Sequence, residues 1–221
     1  LAALRALEAT GQIQLPPGQR SRPRGVPAAL PPMDFVVESL ADVQGLEIVP
    51  VVDAETRRVW QALLQHEHPR GAGPFFGPQL RYLIRSEAGW LGAMGFAAAA
   101  RRLAARDAWI GWDNETRSSH LHRIVGLARF LIRPGVRCPH LATHVLAQVL
   151  RDLPAAFESR YGYRPWLVES FVDTLTHSGV SLKAGNWIRL GCTAGRGRQD
   201  RDHVSAETPK HIFVYPLERG W

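Results

Sequence analysis

A carboxylate set inside an apolar strand is the feature that most limits how this chain can fold. Residues 165–172 (PWLVESFV) are apolar or aromatic almost throughout and read as a buried strand, yet Glu169 sits within it and Asp173 at its end. A carboxylate is seldom buried without a partner or a task. The fold must therefore bring a counter-charge to Glu169 or build a site around it. The strand leads into a short helix near residues 179–184, a second strand near residues 187–190, and the turn Gly195-Arg196-Gly197-Arg198. Acids, aromatics and an arginine pair within one segment are the materials of a functional site.

The 221 residues suffice for one large domain, with or without a small appendage. Apolar residues make up 45%, enough for a sizeable core, and no apolar run is long enough to cross a bilayer. The chain begins at Leu1 rather than at methionine, which points to a fragment or a processed product, and its opening residues lack the apolar block of a secretory signal. Cys138 and Cys192 are too few for a disulfide framework, so a reducing cytoplasm is expected. The net charge is +7, and only Lys183 and Lys210 among the cations are lysines. An arginine-dominated surplus suits phosphate recognition, because the guanidinium fork matches phosphate oxygens. Nucleic acid is the expected partner, and a membrane is not.

Residues 1–15 read as a short amphipathic helix stopped at Gly11 and followed by a strand-like run, the remnant of a winged-helix-like module. Residues 16–34, rich in Pro, Gly and Arg, read as a linker, and residues 35–221 as the globular domain. Within that domain the pattern predicts strands near Val36–Val37 and over residues 46–52, and a helix over 54–66. A hairpin follows over 79–84 and 90–96, then an alanine-rich helical segment over 97–103. Residues 117–127 read as helical or irregular, and residues 128–132 as a strand. A helix over 141–150 is broken or restarted at Pro154, and a last strand covers 211–216. The order implies an α/β (α+β) domain with a mixed, largely antiparallel central sheet.

A hairpin, a strand, a loop opening a long helix, a strand and a short helix resembles the topology of GNAT acyltransferases. In that fold the loop before the long helix holds the pyrophosphate of acyl-CoA on backbone N–H groups, with the helix N-terminus as an anion site. The resemblance implies that residues 134–140 (PGVRCPH) are this loop, with Val136, Arg137, His140 and Leu141 binding the cofactor, an acyl-CoA or aminoacyl donor. Two features depart from the pattern. The loop lacks a second glycine and carries Pro139, which has no N–H to give, and Ser181 stands where the fold usually places a tyrosine general acid.

Six further stretches resemble the DruA-like family, named for a component of the Druantia anti-phage defence system and often described as transposase-like. They are residues 106–112 (RDAWIGW), 129–134 (RFLIRP), 161–165 (YGYRP), 169–173 (ESFVD), 184–187 (AGNW) and 191–198 (GCTAGRGR). They follow the family's order across about the last two-thirds of the chain. His140-Leu141-Ala142-Thr143 replaces the family's usual asparagine-leucine-alanine-serine, and Gly185 replaces an alanine. The resemblance implies a setting of mobile DNA and defence, with other defence or mobile-element proteins as partners. It also favours residues 1–15 as the end of a DNA-binding helical domain.

The candidate reaction centre comprises Glu169, Asp173, Asp107 and Asn186. In acyl transfer Glu169 would act as a general base. Alternatively Asp107, Glu169 and Asp173 would hold Mg for phosphodiester chemistry, as in a metal-dependent nuclease or transposase-like enzyme. The competing structural reading pairs Asp107 with Arg106. Arg196 and Arg198, supported by Arg189, are the candidate phosphate contacts. His140 and His144 have the i, i+4 spacing of a metal face without its glutamate. His66/His68 and His120/His122 are weaker pairs, and His68 stands out because a loop follows it. Trp109, Trp112 and Trp187 read as core before they read as base-stacking platforms. Three readings remain open: a nucleic-acid-directed protein that transfers an acyl or aminoacyl group, a metal-dependent nuclease, and a DNA-binding module without catalysis.

Overall fold

The computed structural model describes residues 2–14, 28–33, 37, 39–195 and 208–218. Most of the linker and Val36 lie outside the described residues. Helix α1 (Ala2–Ala9) turns at Gly11, whose φ of 70° is left-handed. From residue 47 on, seven strands form one sheet: β1 (Glu47–Pro50), β2 (Leu80–Ser86), β3 (Gly89–Ala98), β4 (Ile124–Ile132), β5 (Leu167–Asp173), β6 (Ile188–Cys192) and β7 (Lys210–Pro216). Their spatial order is β1-β2-β3-β4-β5-β7-β6, and every pair is antiparallel except β4 with β5.

Helices cover both faces. Helix α5 (Leu141–Tyr161) lies on one, burying Leu141, Val145, Leu146, Val149, Leu150 and Leu153 against a core that includes Leu127, Val168 and Phe213. The short α6 (Val180–Ala184) adds Leu182 to this core, with Trp187 just beyond it. Helix α2 (Ala54–Glu67) covers the other face, where Trp60, Leu63 and Leu64 meet Leu83, Ala93 and Leu131. Burying each such side chain fully contributes about 1.5–3 kcal/mol. Helix α3 (Ala104–Ile110), with Trp112 and Leu121 after it, closes the same face further along, over Ile124, Leu167 and Val214, and α4 (Asn114–His120) lies between Trp112 and Leu121.

Local chemistry sets the ends of α2. The Asp53 carboxylate accepts the Thr56 N–H at 2.8 Å and starts the helix. Pro69 stops it: the residue before a proline is driven from the helical region, and His68 sits at φ −104°, ψ 131°.

Three expectations are corrected. The alanine-rich segment is not helical, because Ala97 and Ala98 continue β3 and pair with Gly126 and Val125; strand pairing overrides the helix preference of alanine. Residues 117–127 divide into the end of α4, a 3-10 turn at Leu121–Arg123 and the start of β4, which begins at Ile124 rather than 128. Pro154 does not break α5, which runs on to Tyr161. Leu150, Leu153, Pro154 and Phe157 are buried together, and that packing holds the turn despite the missing hydrogen bond.

Candidate active site

The central geometry is a wedge between β4 and β5. The two strands pair in parallel only from Ile124↔Leu167 to Leu127↔Ser170. Beyond that point residues 128–132 of β4 stay with β3, while residues 171–173 of β5 stay with β7. The facing edges past Leu127 and Ser170 thus carry backbone N–H and C=O groups with no strand between them, among the described residues. The wide end of the wedge lies toward the loop that leads into α5.

Glu169 lies near the apex, 1% exposed, opposite Gly126. Its Oε1 accepts the Ala100 N–H at 2.5 Å, and its Oε2 accepts from Arg106 Nη1 at 2.6 Å. Arg106 is fully buried and also donates to the Ala100 carbonyl and, through Nε and Nη2, to Asp107 Oδ1 at 2.9 and 2.7 Å. Arg117 approaches the other Asp107 oxygen at 3.7 Å. Burial pushes the Glu169 carboxyl above its ordinary range, and the Arg106 charge and the Ala100 N–H oppose it. Asp107 and Glu169 therefore come together, with a guanidinium held between them. Asp173 stands apart: four residues further along β5, about 13 Å at the usual strand rise, it accepts the Leu175 N–H at 2.9 Å. Asn186 is exposed in the turn after α6, with φ 62°. No group of three or more His, Cys, Asp or Glu among the described residues could hold a metal ion.

The loop before α5 is tied inward. Val136 bridges Val37, the Val136 N–H donates to the Arg133 carbonyl, and the Arg137 N–H donates to the Val37 carbonyl at 3.0 Å. The Leu141 N–H reaches the Cys138 carbonyl at 3.4 Å. Three of the four residues expected to cradle a pyrophosphate thus have their N–H groups already bonded to protein carbonyls. The fourth, His140, is exposed and left-handed (φ 66°), and its side chain does not cap the helix. Among the described residues the first-turn N–H groups of Ala142 and Thr143 have no capping side chain, and the positive end of a 21-residue helix faces the loop. The Thr143 hydroxyl donates to the Ser181 carbonyl at 3.3 Å and joins α6 to this turn.

The other expected residues are dispersed. Arg189 is exposed on β6 and donates to Cys192 Sγ at 3.6 Å; Arg196 and Arg198 lie outside the described residues. Trp187 is buried against Tyr215, Trp112 packs on the core beneath α3, and Trp109 is exposed. His120 and His122 lie against Trp166 and Tyr163, and His66 lies within 3.3 Å of the Ala28 carbonyl. Sequence reasoning gave Arg106 too small a part. The signal for Arg106 was present, since a strand-buried Glu169 requires a cation and Arg106 opens a motif shared with Asp107.

The match to the model of the family described as "Druantia protein DruA" extends over residues 18–219. The chain belongs to the DruA family. Its fold is that of the GNAT acyltransferases, as solved structures show. A single-substitution variant of spermidine N-acetyltransferase SpeG from Vibrio cholerae superposes with a TM-score of 0.52 at 9% identity, covering 78% of this chain and 94% of that one. A second variant of the same enzyme gives 0.50 at 9% identity over the same shares. An N-acetyltransferase from Staphylococcus aureus Mu50 gives 0.41 at 9% identity, covering 63% and 68%. No curated protein sequence matches this DruA-family chain.

Proposed function

We propose that this DruA-family protein transfers an acyl or aminoacyl group in a defence setting, and that the acyl donor lies in the wedge between β4 and β5. The observation that carries the reading is the coincidence of two features: strand edges left unpaired past Leu127 and Ser170, and an uncapped α5 N-terminus beside their wide end. A CoA thioester has chemistry for both. Its pantetheine arm carries amides suited to a strand edge, and its diphosphate suits a helix N-terminus. The fit is partial, because the Val136, Arg137 and Leu141 N–H groups are already bonded to protein carbonyls. The Ala142 and Thr143 N–H groups, aided by the exposed Arg137 and His144, would hold the diphosphate. When bound, the thioester supplies an activated carbonyl: its C–S bond breaks as the acceptor's bond to carbon forms, and the proton lost by the acceptor ends on the thiol. In this reading the Arg106–Glu169–Asp107 cluster fixes the apex of the wedge.

The test is thermal unfolding with acetyl-CoA in the wild type and in Ala142→Asp. An aspartate in the first turn suits the helix dipole and leaves the fold intact, but it places a negative charge where the diphosphate would sit. A ligand at 100 times its Kd stabilises by about 2.7 kcal/mol. Acetyl-CoA is expected to raise the Tm of the wild type and not of Ala142→Asp. An equal response in both, or none in the wild type, refutes the reading.

Direction by nucleic acid is a second element of the proposal. It is supported by the +7 charge and by arginines such as Arg101, Arg102, Arg137, Arg151 and Arg189, which have no carboxylate partner among the described residues. Binding of single- or double-stranded DNA that weakens steeply with salt would support it, and indifference to salt would count against it.

A further inference from the structure

The opposite wall of the wedge carries a cationic cluster that none of the functions above uses. Arg129 is the first residue of β4 on the α2 face beyond the last β4–β5 pair, and it is 8% exposed. Its guanidinium donates to the carbonyls of Gly71, Ala128 and Arg70 at 2.8, 2.7 and 3.3 Å and lies 5.6 Å from the Phe75 ring. No carboxylate of the described residues is within ion-pair distance of it. This differs from the other two buried arginines, since Arg106 and Arg133 each have a carboxylate partner. Three carbonyl dipoles replace part of the lost hydration, but the net charge of Arg129 remains uncompensated in a site of low exposure.

His68 adds a neutral donor beside this guanidinium. Its Nδ1 accepts the Arg70 N–H at 3.1 Å, so the neutral ring carries its proton on Nε2. Burial, together with the charges of Arg129, Arg70 and His177, pushes the imidazole down to about 4. It therefore remains a neutral N–H donor at physiological pH. The sequence fixes this position, because Pro69 ends α2 at His68 and the carbonyls of the following turn engage Arg129. His177, beyond the end of β5, lies near enough for its charge to act on His68.

We propose that His68, Arg129 and Arg70 form the acceptor wall of the wedge and receive a phosphate monoester on the molecule to be acylated. This rests on the acyltransfer reading and names the acceptor class for that site. Two guanidiniums and a neutral N–H donor, brought together by the turn after α2 and the facing strand, suit the several oxygens of a phosphate. They repel a polyamine, so the acceptor differs in charge from the spermidine named for the SpeG enzymes of like fold.

The test uses the full chain without acyl-CoA. Imidazole and guanidinium ¹H–¹⁵N resonances of His68 and Arg129 are followed while AMP, adenosine, inorganic phosphate, a 5′-phosphorylated tetranucleotide or spermidine is added. AMP and inorganic phosphate are expected to move both signals, and adenosine and spermidine to leave them in place. The tetranucleotide against AMP decides whether the phosphate comes from a strand end or a free nucleotide. AMP affinity is expected to fall at least tenfold in Arg129→Met and to be largely kept in Arg129→Lys. His68→Ala, in a half-buried loop position, gives the same loss if Arg129→Met does not fold. Equal shifts with AMP and adenosine, binding of spermidine at these residues, or AMP affinity unchanged in both variants overturns the assignment. Because no acyl donor is present, such a result is separable from failure of acetyl-CoA to stabilise the protein.

Discussion

Replacing Arg106 by methionine should destabilise this protein more than any other single change at the apex of the wedge. Arg106 is 0% exposed and Glu169 1%. Without the guanidinium, Glu169 keeps only the Ala100 N–H, and Asp107 loses both of its short contacts. Removing one partner of a buried pair costs about 3–5 kcal/mol, because the other charge is left uncompensated. Glu169→Leu leaves Arg106 with Asp107 and the Ala100 carbonyl and should cost less, about 1–3 kcal/mol. The double variant removes the buried Arg106–Glu169 pair, leaves Asp107 to Arg117, and should be more stable than the sum of the single losses, by about 1–3 kcal/mol. Urea unfolding at constant m-value measures all three. A loss below about 1 kcal/mol in Arg106→Met, or strict additivity in the double variant, would refute the view that the cluster is a structural brace. Full stability of Glu169→Leu with activity lost would instead place that carboxylate at the reaction centre.

Other consequences follow from the same geometry. The folded state keeps His68 neutral down to about 4, whereas the unfolded imidazole protonates near 6.5, so the unfolded chain binds more protons between these values. Stability should fall as the pH is lowered through that window, and His68→Asn should flatten the decline in Tm. Arg133 pairs with Glu67 at 3.0 Å and donates to the Pro31 carbonyl at 3.1 Å, so Arg133→Met should cost about 2–4 kcal/mol in urea unfolding and expose residues 28–33 to proteolysis. Gly92→Ala would drive a methyl group into the Leu131 carbonyl on the neighbouring strand, and a Tm drop equivalent to at least about 1 kcal/mol is expected.

Much of the fold could be read from local pattern. The capped start of α2, the β2–β3 hairpin and the apolar stripe of α5 lie close to where periodicity places them. The misreadings at the Ala97 segment and Pro154 share a cause: local preference was outweighed by contacts with residues distant in sequence. Pairing with Gly126 and Val125 keeps the alanines in β3, and core packing keeps Pro154 in α5. At the site, the burial of Glu169 was legible from its apolar neighbours, and that burial demanded a cation. The supplier, Arg106, lies 63 residues away, and its placement depends on α3 folding over the sheet. Arg129 opens the stretch at residues 129–134, but its burial was not legible, because its partners are backbone carbonyls of a turn that no side-chain pattern reveals.

Amide-resolved hydrogen exchange with and without acetyl-CoA tests the central claim most directly. Protection is expected at residues 128–132 of β4 and at Ala142 and Thr143 in the first turn of α5, with β1 and β2 unchanged. Exchange unaltered by saturating acetyl-CoA, or protection confined to surfaces away from the wedge, would contradict it.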